Sequence, residues 1–186
     1  MGQVDLDFKP SAPVFDACVA LGRRHDRPVA VDTVEGTLEA MGRAGVGRAL
    51  AYSPHAAVFD SEDGNRLLME MITGEPSLVP QFVCNPARDD LNAFATEVAG
   101  HGVRAVRMAP MLHGYPFQEW VVRPWLDWLE ETRVPLWLPA SYESHGSTVD
   151  IDPSQVYETL SGRPNLKAVL SGVHYRHVSW AAPLLR

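Results

Sequence analysis

"RDDLNAFATEVAGHGVRAVRMAP", residues 88–110, passes from one kind of segment to another in its middle, and that passage decides the fold. As far as Gly102 it reads as a helix, closed by Gly100 and Gly102. From Val103 onward "VRAVRMA" is a short apolar run of strand length. A helix that feeds a buried strand is the repeating unit of a parallel sheet, because a parallel crossover needs a helix-sized connection. The unit recurs on both sides. Upstream, "DTVEGTLEAMGRAGV" (32–46) predicts a helix capped by Asp32 or Thr33, with Glu35 in its first turn, Val34, Leu38 and Met41 on one face, and Gly45 as its stop. "GRALAYS" (47–53) follows as a buried strand, then a helix over 61–73 started by Ser61 and closed by Gly74, then the strand "SLVPQFVC" (77–84). Downstream, "FQEWVVRPWLDWLEET" (117–132) is a helix interrupted by Pro124, and "VPLWLPA" (134–140) a strand. "DPSQVYETLSG" (152–162) and "NLKAVLSG" (165–172) add one more helix and strand.

The first strand is expected at "VDLDFKP" (4–10), where Val4, Leu6 and Phe8 alternate with Asp5, Asp7 and Lys9. Residues 9–32 then form a long loop in which "VFDACVAL" (14–21) makes a short helix. This gives six strands separated by helices, with no hairpin signal. The class is α/β with a parallel sheet. A doubly wound sheet would carry a glycine-rich turn after its first strand, and "DFKPSAP" has none. A (β/α)8 TIM-type barrel fits better, truncated after about six βα units because a closed barrel takes about 250 residues. One domain over 1–186 is expected, incomplete at the C-terminus; the alternative is an unclosed barrel whose edges a partner covers.

Of the 186 residues, 46% are hydrophobic and 21% charged, a composition that supports a sizeable core. A net charge of -7 without a basic run excludes a groove built on phosphate neutralisation, so no nucleic-acid partner is expected. No apolar stretch approaches a membrane span of about 20 residues, and the first 30 residues lack a signal-peptide core, which predicts a cytoplasmic protein without a membrane partner. Cys18 and Cys84 read as free thiols.

The order of "VDLDFKP", "EAMGRAGVGRALAYSP", "GNRLLMEMI", "LVPQFVCNP", "GVRAVRMAPMLHGY", "VPLWLPA" and "RPNLKAVLSG" resembles the amidohydrolase-related family of metal-dependent hydrolases and decarboxylases, over nearly the whole chain. The resemblance implies a TIM-type barrel with a divalent metal, often zinc, at its C-terminal mouth. In that family a His-x-His pair ends the first strand after an apolar-Asp-apolar run; the two positions are expected to hold Asp7 and Lys9 here. The histidines that end strands five and six fall on Pro139 and Gly172, and a further aspartate belongs to a strand eight that the sequence does not reach. Since Lys, Pro and Gly offer no ligand atom suited to a cation, no metal cofactor is expected at these positions, although the family implies one.

Chemistry is therefore sought in other residues. Asp7 and Lys9, about 6 to 7 Å apart along one strand face, make a salt bridge in a mouth without metal, or Lys9 replaces the metal's charge. Arg107 on strand four points inward if Val106 and Met108 pack outward. There it clamps an anionic substrate or pairs with Asp5 or Asp7. His113, in the loop "MLHGYPF", is a structural or a catalytic histidine. The residues expected to carry chemistry are thus Asp7, Lys9, Arg107 and His113; those expected to contact substrate are Asn85, Tyr115, Glu143 and His174. His145, two after Glu143, and His177, three after His174, leave a relocated metal site as a weaker alternative, and His55 completes the polar ring. Trp120, Trp125 and Trp128 pack their helix on the barrel or on a partner subunit, which leaves a homo-oligomer open. The expected function is a hydrolase or decarboxylase of a small acidic or carbonyl-containing molecule. The alternative is a non-catalytic scaffold or small-ligand-binding protein that has lost the metal site.

Overall fold

A computed structural model describes residues 10–24, 28–144, 147–175 and 178–184. Its strands and helices, in chain order, are β1 (Val14–Ala20), α1 (Val34–Ala44), β2 (Val46–Tyr52), α2 (Pro54–Val58), α3 (Ser61–Met71), β3 (Leu78–Pro80), β4 (Phe82–Cys84), α4 (Leu91–Gly100), β5 (Val106–Met108), α5 (Pro110–His113), α6 (Glu119–Thr132), β6 (Leu136–Pro139), β7 (Ser141–Ser144), β8 (Ser147–Asp150), α7 (Pro153–Leu160), β9 (Ala168–Ser171) and α8 (Val178–Ala181). Helix and strand alternate as the sequence predicts. The parallel ladder runs β1-β2-β3 and then β4-β5-β6-β9. The two sheets are joined along one chain segment: Leu78 to Pro80 pair with β2, Phe82 to Cys84 pair with β5, and Gln81 alone lies between. Its backbone N–H still donates to the Ala51 carbonyl at 2.8 Å, while the Phe82 N–H has moved to the Ala105 carbonyl at 3.2 Å. Gln81 is the seam between the two sheets.

The alternation of strand residues separates two faces. Phe82, Cys84, Val106, Met108, Leu136 and Leu138 point to the helices and are buried with Phe94 and Val98 of α4 and Val122, Trp125, Leu126 and Leu129 of α6. Burial of each large aliphatic side chain contributes about 1.5–3 kcal/mol. A second cluster joins Ala49 and Ala51 of β2 to Met41, Leu68 and Ile72. Helix α1 has the expected ends, with the Thr33 hydroxyl accepting from the Gly36 N–H and Gly45 left-handed at φ 68°. Helix α2 meets α3 so closely that a Cβ on Gly64 would stand 2.2 Å from the Ala56 nitrogen. Asn65, one residue on, donates to the Val83 carbonyl at 2.8 Å and accepts from its N–H at 2.9 Å, which ties α3 to β4.

Several expectations are corrected. The stretch 14–21 is not a helix: its first seven residues are β1, parallel to β2 with Val14 opposite Val46 and Ala20 opposite Tyr52. Val14, Phe15 and Val19 suit a pleated surface, and an isolated two-turn helix has no partner to offset its nucleation cost. The strand expected at 4–10, with Asp7 and Lys9, lies outside the described residues but for Pro10. Helix α3 is capped by Asp60, which accepts from the Asp63 N–H at 2.9 Å, while the Ser61 hydroxyl donates to Asp89. Pro124 does not interrupt α6; it is exposed, so its ring meets no packed neighbour, and the helix runs through it to Thr132. The polar stretch after β6 holds a hairpin, β7 antiparallel to β8 with Tyr142 opposite Val149, closed by the Ile151 N–H on the Ala140 carbonyl at 2.9 Å. Helices α2 and α5, both begun by a proline, were not expected, and α5 makes His113 helical rather than part of a loop. Among the described residues no helix is long and apolar enough to cross a membrane.

Candidate functional site

With Val106 and Met108 in the helix-side core, Arg107 takes the opposite face of β5, as the alternation predicts. Only 3% of it is exposed. Its Nε donates to Gln81 Oε1 at 2.8 Å, one of its terminal nitrogens donates to Cys18 Sγ at 3.1 Å, and its guanidinium carbon lies 4.0 Å from the centre of the Tyr52 ring. Four successive strand positions of the sheet therefore hold one cation: β1 by Cys18, β2 by Tyr52, the seam by Gln81, and β5 by Arg107 itself. A guanidinium over an aromatic face is attracted by the ring quadrupole. No carboxylate among the described residues pairs with it. The expected partners Asp5 and Asp7 lie outside those residues.

Gln81 is wholly buried. Because arginine only donates, the amide oxygen of Gln81 must face it, which fixes the orientation of the amide. Its nitrogen then has no hydrogen-bond partner among the described residues. Buried donors without partners are rare in native proteins and cost about 1–3 kcal/mol each.

The other expected site residues fall into separate places. His113 sits at the end of α5, with Nε2 3.0 Å from the Ala56 carbonyl, so Nε2 carries the proton of the neutral ring and Nδ1 keeps a lone pair, buried and without a partner among the described residues. Burial pushes its pKa down, opposed by the Ala56 carbonyl. Tyr115, with its ring centroid 6.3 Å from that of His113, is buried in the helix-side core rather than displayed to a ligand. Burial pushes its phenol well up, opposed by the Ala109 backbone. Asn85 follows β4 but serves a turn: its side-chain oxygen accepts from the Ala87 N–H at 3.2 Å and its own N–H donates to Asp89 at 2.7 Å. Glu143 is exposed on β7, opposite Thr148. His174 is exposed beyond β9, its ring 4.3 Å from that of Tyr175. His145 and His177 lie outside the described residues. Cys84 is buried among apolar side chains, which pushes its thiol well up, so it is a packing residue. Sequence reasoning placed Arg107 on the inner face and did not single out the Cys18, Tyr52 and Gln81 that surround it. The one available signal was a glutamine in the middle of the apolar run "LVPQFVC".

The metal set that the resemblance implies can be tested on this geometry. The first described strand carries a second apolar-Asp-apolar run, Phe15-Asp16-Ala17, and at the same spacing after it stand Cys18 and Ala20; Asp7 and Lys9 lie outside the described residues. Pro139 ends β6 and Gly172, at φ 67°, follows β9. One sulfur is the sole ligand atom that the side chains of Cys18, Ala20, Pro139 and Gly172 supply, and it already accepts from Arg107. The donor set does not fit a divalent cation. Among the described residues no three His, Cys, Asp or Glu side chains gather elsewhere as metal ligands. A separate cleft of about 1040 Å³ opens on the helix side between α3 and α4, with Phe82 and Phe94 in its wall; it includes none of the residues that hold Arg107.

No family model and no curated protein matches the chain. Solved structures do. An uncharacterised TIM-barrel protein from Bordetella bronchiseptica is similar at 15% identity and a TM-score of 0.62, over 82% of this chain and 57% of its own. A probable 2-pyrone-4,6-dicarboxylic acid hydrolase from Acinetobacter baumannii, with citric acid bound, is similar at 15% identity and a TM-score of 0.57, over 86% and 58%. Dihydroorotase from Campylobacter jejuni follows at 14% and 0.52, over 93% and 51%. The chain thus spans little more than half the length of the proteins it matches. Likeness at this identity shows the fold: α/β, with six parallel strand positions that form part of a TIM-type barrel.

Proposed function

We propose that the protein is a divergent barrel of the amidohydrolase-related kind that takes a small acidic or carbonyl-containing molecule at its mouth, with Arg107 as the anion-binding group. The observation that carries this is a buried guanidinium held by Gln81, Cys18 and Tyr52 with no carboxylate among the described residues. A buried cation is costly unless an anion meets it, and a ligand carboxylate offers two oxygens to its remaining N–H groups. One structural neighbour binds citrate and is named a dicarboxylic acid hydrolase, which agrees in chemical class. Hydrolysis or decarboxylation is the proposed reaction, with Asp7 and Lys9 as candidates by sequence.

A second reading, ligand binding without turnover, is favoured by His113: one nitrogen is committed to Ala56 and the other is closed off from solvent. The two readings share the first test. Citrate, succinate and acetate are titrated against wild type, Arg107→Gln and Arg107→Lys, by calorimetry and thermal unfolding. Loss of charge-assisted hydrogen bonds worth about 1.5–3 kcal/mol should weaken carboxylate binding about 10- to 100-fold in Arg107→Gln. Arg107→Lys keeps the charge, controls for folding, and should fall between the two. Equal binding by all three proteins, or none by wild type, would overturn the proposal. Turnover of a bound carboxylate then separates the enzyme from the scaffold.

A further inference from the structure

We infer that the guanidinium of Arg107 stands in place of a divalent cation at the mouth of this barrel, so that a ligand there meets a positive charge carried by the chain itself. This rests on the reading that the mouth beside β1 is the ligand site. Pro139 and Gly172 stand where the resemblance puts two histidines, and the first and third positions after the apolar-Asp-apolar run of β1 hold Cys18 and Ala20. Three of them supply no side-chain ligand atom. The fourth, Cys18, presents its sulfur 3.1 Å from a terminal nitrogen of Arg107. A zinc ion on that sulfur would sit about 2.3 Å from it, which forces two cations together with no carboxylate between them among the described residues.

The guanidinium is held as a built group. Gln81 fixes its Nε from the seam, and Tyr52 supports its face from the end of β2. Tyr52 ends a paired strand and Gln81 is pinned by its N–H on the Ala51 carbonyl, so the charge has a defined position. Gln81 is here a positioning residue. Its unpartnered amide nitrogen adds a neutral donor beside the cation, a pattern suited to oxygen anions and unsuited to metal ions.

The substitution changes what the mouth can do. A guanidinium stays protonated across the working range of pH and orients anions through N–H groups, but it does not turn a bound water into hydroxide as a metal does. Any hydrolysis at this mouth must therefore take its activated water from a protein base, whereas binding and charge stabilisation need nothing more than Arg107.

The test is elemental analysis of folded wild-type protein from cells supplied with zinc and manganese, together with unfolding midpoints with and without phenanthroline. This neutral chelator does not compete for an anion site as a polycarboxylate chelator would. Metal far below stoichiometric, with an unmoved midpoint, is the result expected. Near-stoichiometric metal, or a midpoint lowered by phenanthroline, overturns the inference. Acetate, which chelates zinc far less than citrate does, keeps the two ideas apart. No binding with or without added zinc, in protein that holds no metal, sinks the ligand reading while the inference about the metal stands; binding that appears only on zinc addition sinks the inference, and with it the role of Arg107 as the anion-binding group.

Discussion

Within β5 two neighbouring residues lead opposite lives. Val106 faces the helices in a cluster of apolar side chains, whereas Arg107 faces the other way, into a group in which a buried amide nitrogen has no partner among the described residues. The helix side of the sheet is apolar packing, Tyr115 excepted. The strand face at the mouth keeps a desolvated cation and an orphan donor, both of which destabilise the fold in the absence of a ligand. The difference teaches that one strand can serve the core with one face and hold costly polar groups with the other: the boundary runs along the strand itself, between side chains that point to opposite faces.

That division can be broken by mutation. Leu138→Ala should remove about 2–5 kcal/mol of stability, read by urea denaturation, while the folded fraction keeps its carboxylate affinity; a parallel loss of affinity would show that the two faces are coupled. Gly64→Ala should cost about 1–3 kcal/mol, because the new methyl meets the Ala56 backbone at 2.2 Å. It also displaces α2, whose Ala56 carbonyl holds His113, so the pH dependence of stability should shift with it. The smallest effect concerns His113 alone. Since burial lowers its pKa in the folded protein, the unfolded chain binds the proton more tightly. The stability it contributes is fully present above its unfolded value of about 6.5 and is lost as pH falls below that. His113→Gln should therefore have a flatter stability profile than wild type between about pH 7.5 and 5.5, by denaturation at fixed ionic strength. An unchanged slope would mean that the imidazole is solvated.

Much of the fold was legible because local chemistry marks it. Thr33 and Gly45 bracket α1 by capping and by a left-handed turn, and the alternation of "VRM" alone assigned Arg107 to the inner face. Segments whose form depends on a distant partner were not legible. Residues 14–20 have enough alanine to read as helix and become strand because β2 offers a ladder. The hairpin β7–β8 has no Asn-Gly turn to announce it. The mouth follows the same rule: Arg107 is 26 residues from Gln81 and 89 from Cys18, and nothing short of the sheet register brings them together. Tyr115 illustrates the converse, a polar residue beside a candidate histidine that the packing draws into the core.

Gln81 performs two tasks with two different parts of itself. Its main chain joins the sheets, a role open to any residue that keeps its N–H, while its side chain sets the direction of Arg107 and demands an acceptor of matching reach. Variation at this one position can therefore alter what the mouth accepts while the seam persists. A lineage that carries such a residue can change ligands in single steps without first having to rebuild its scaffold.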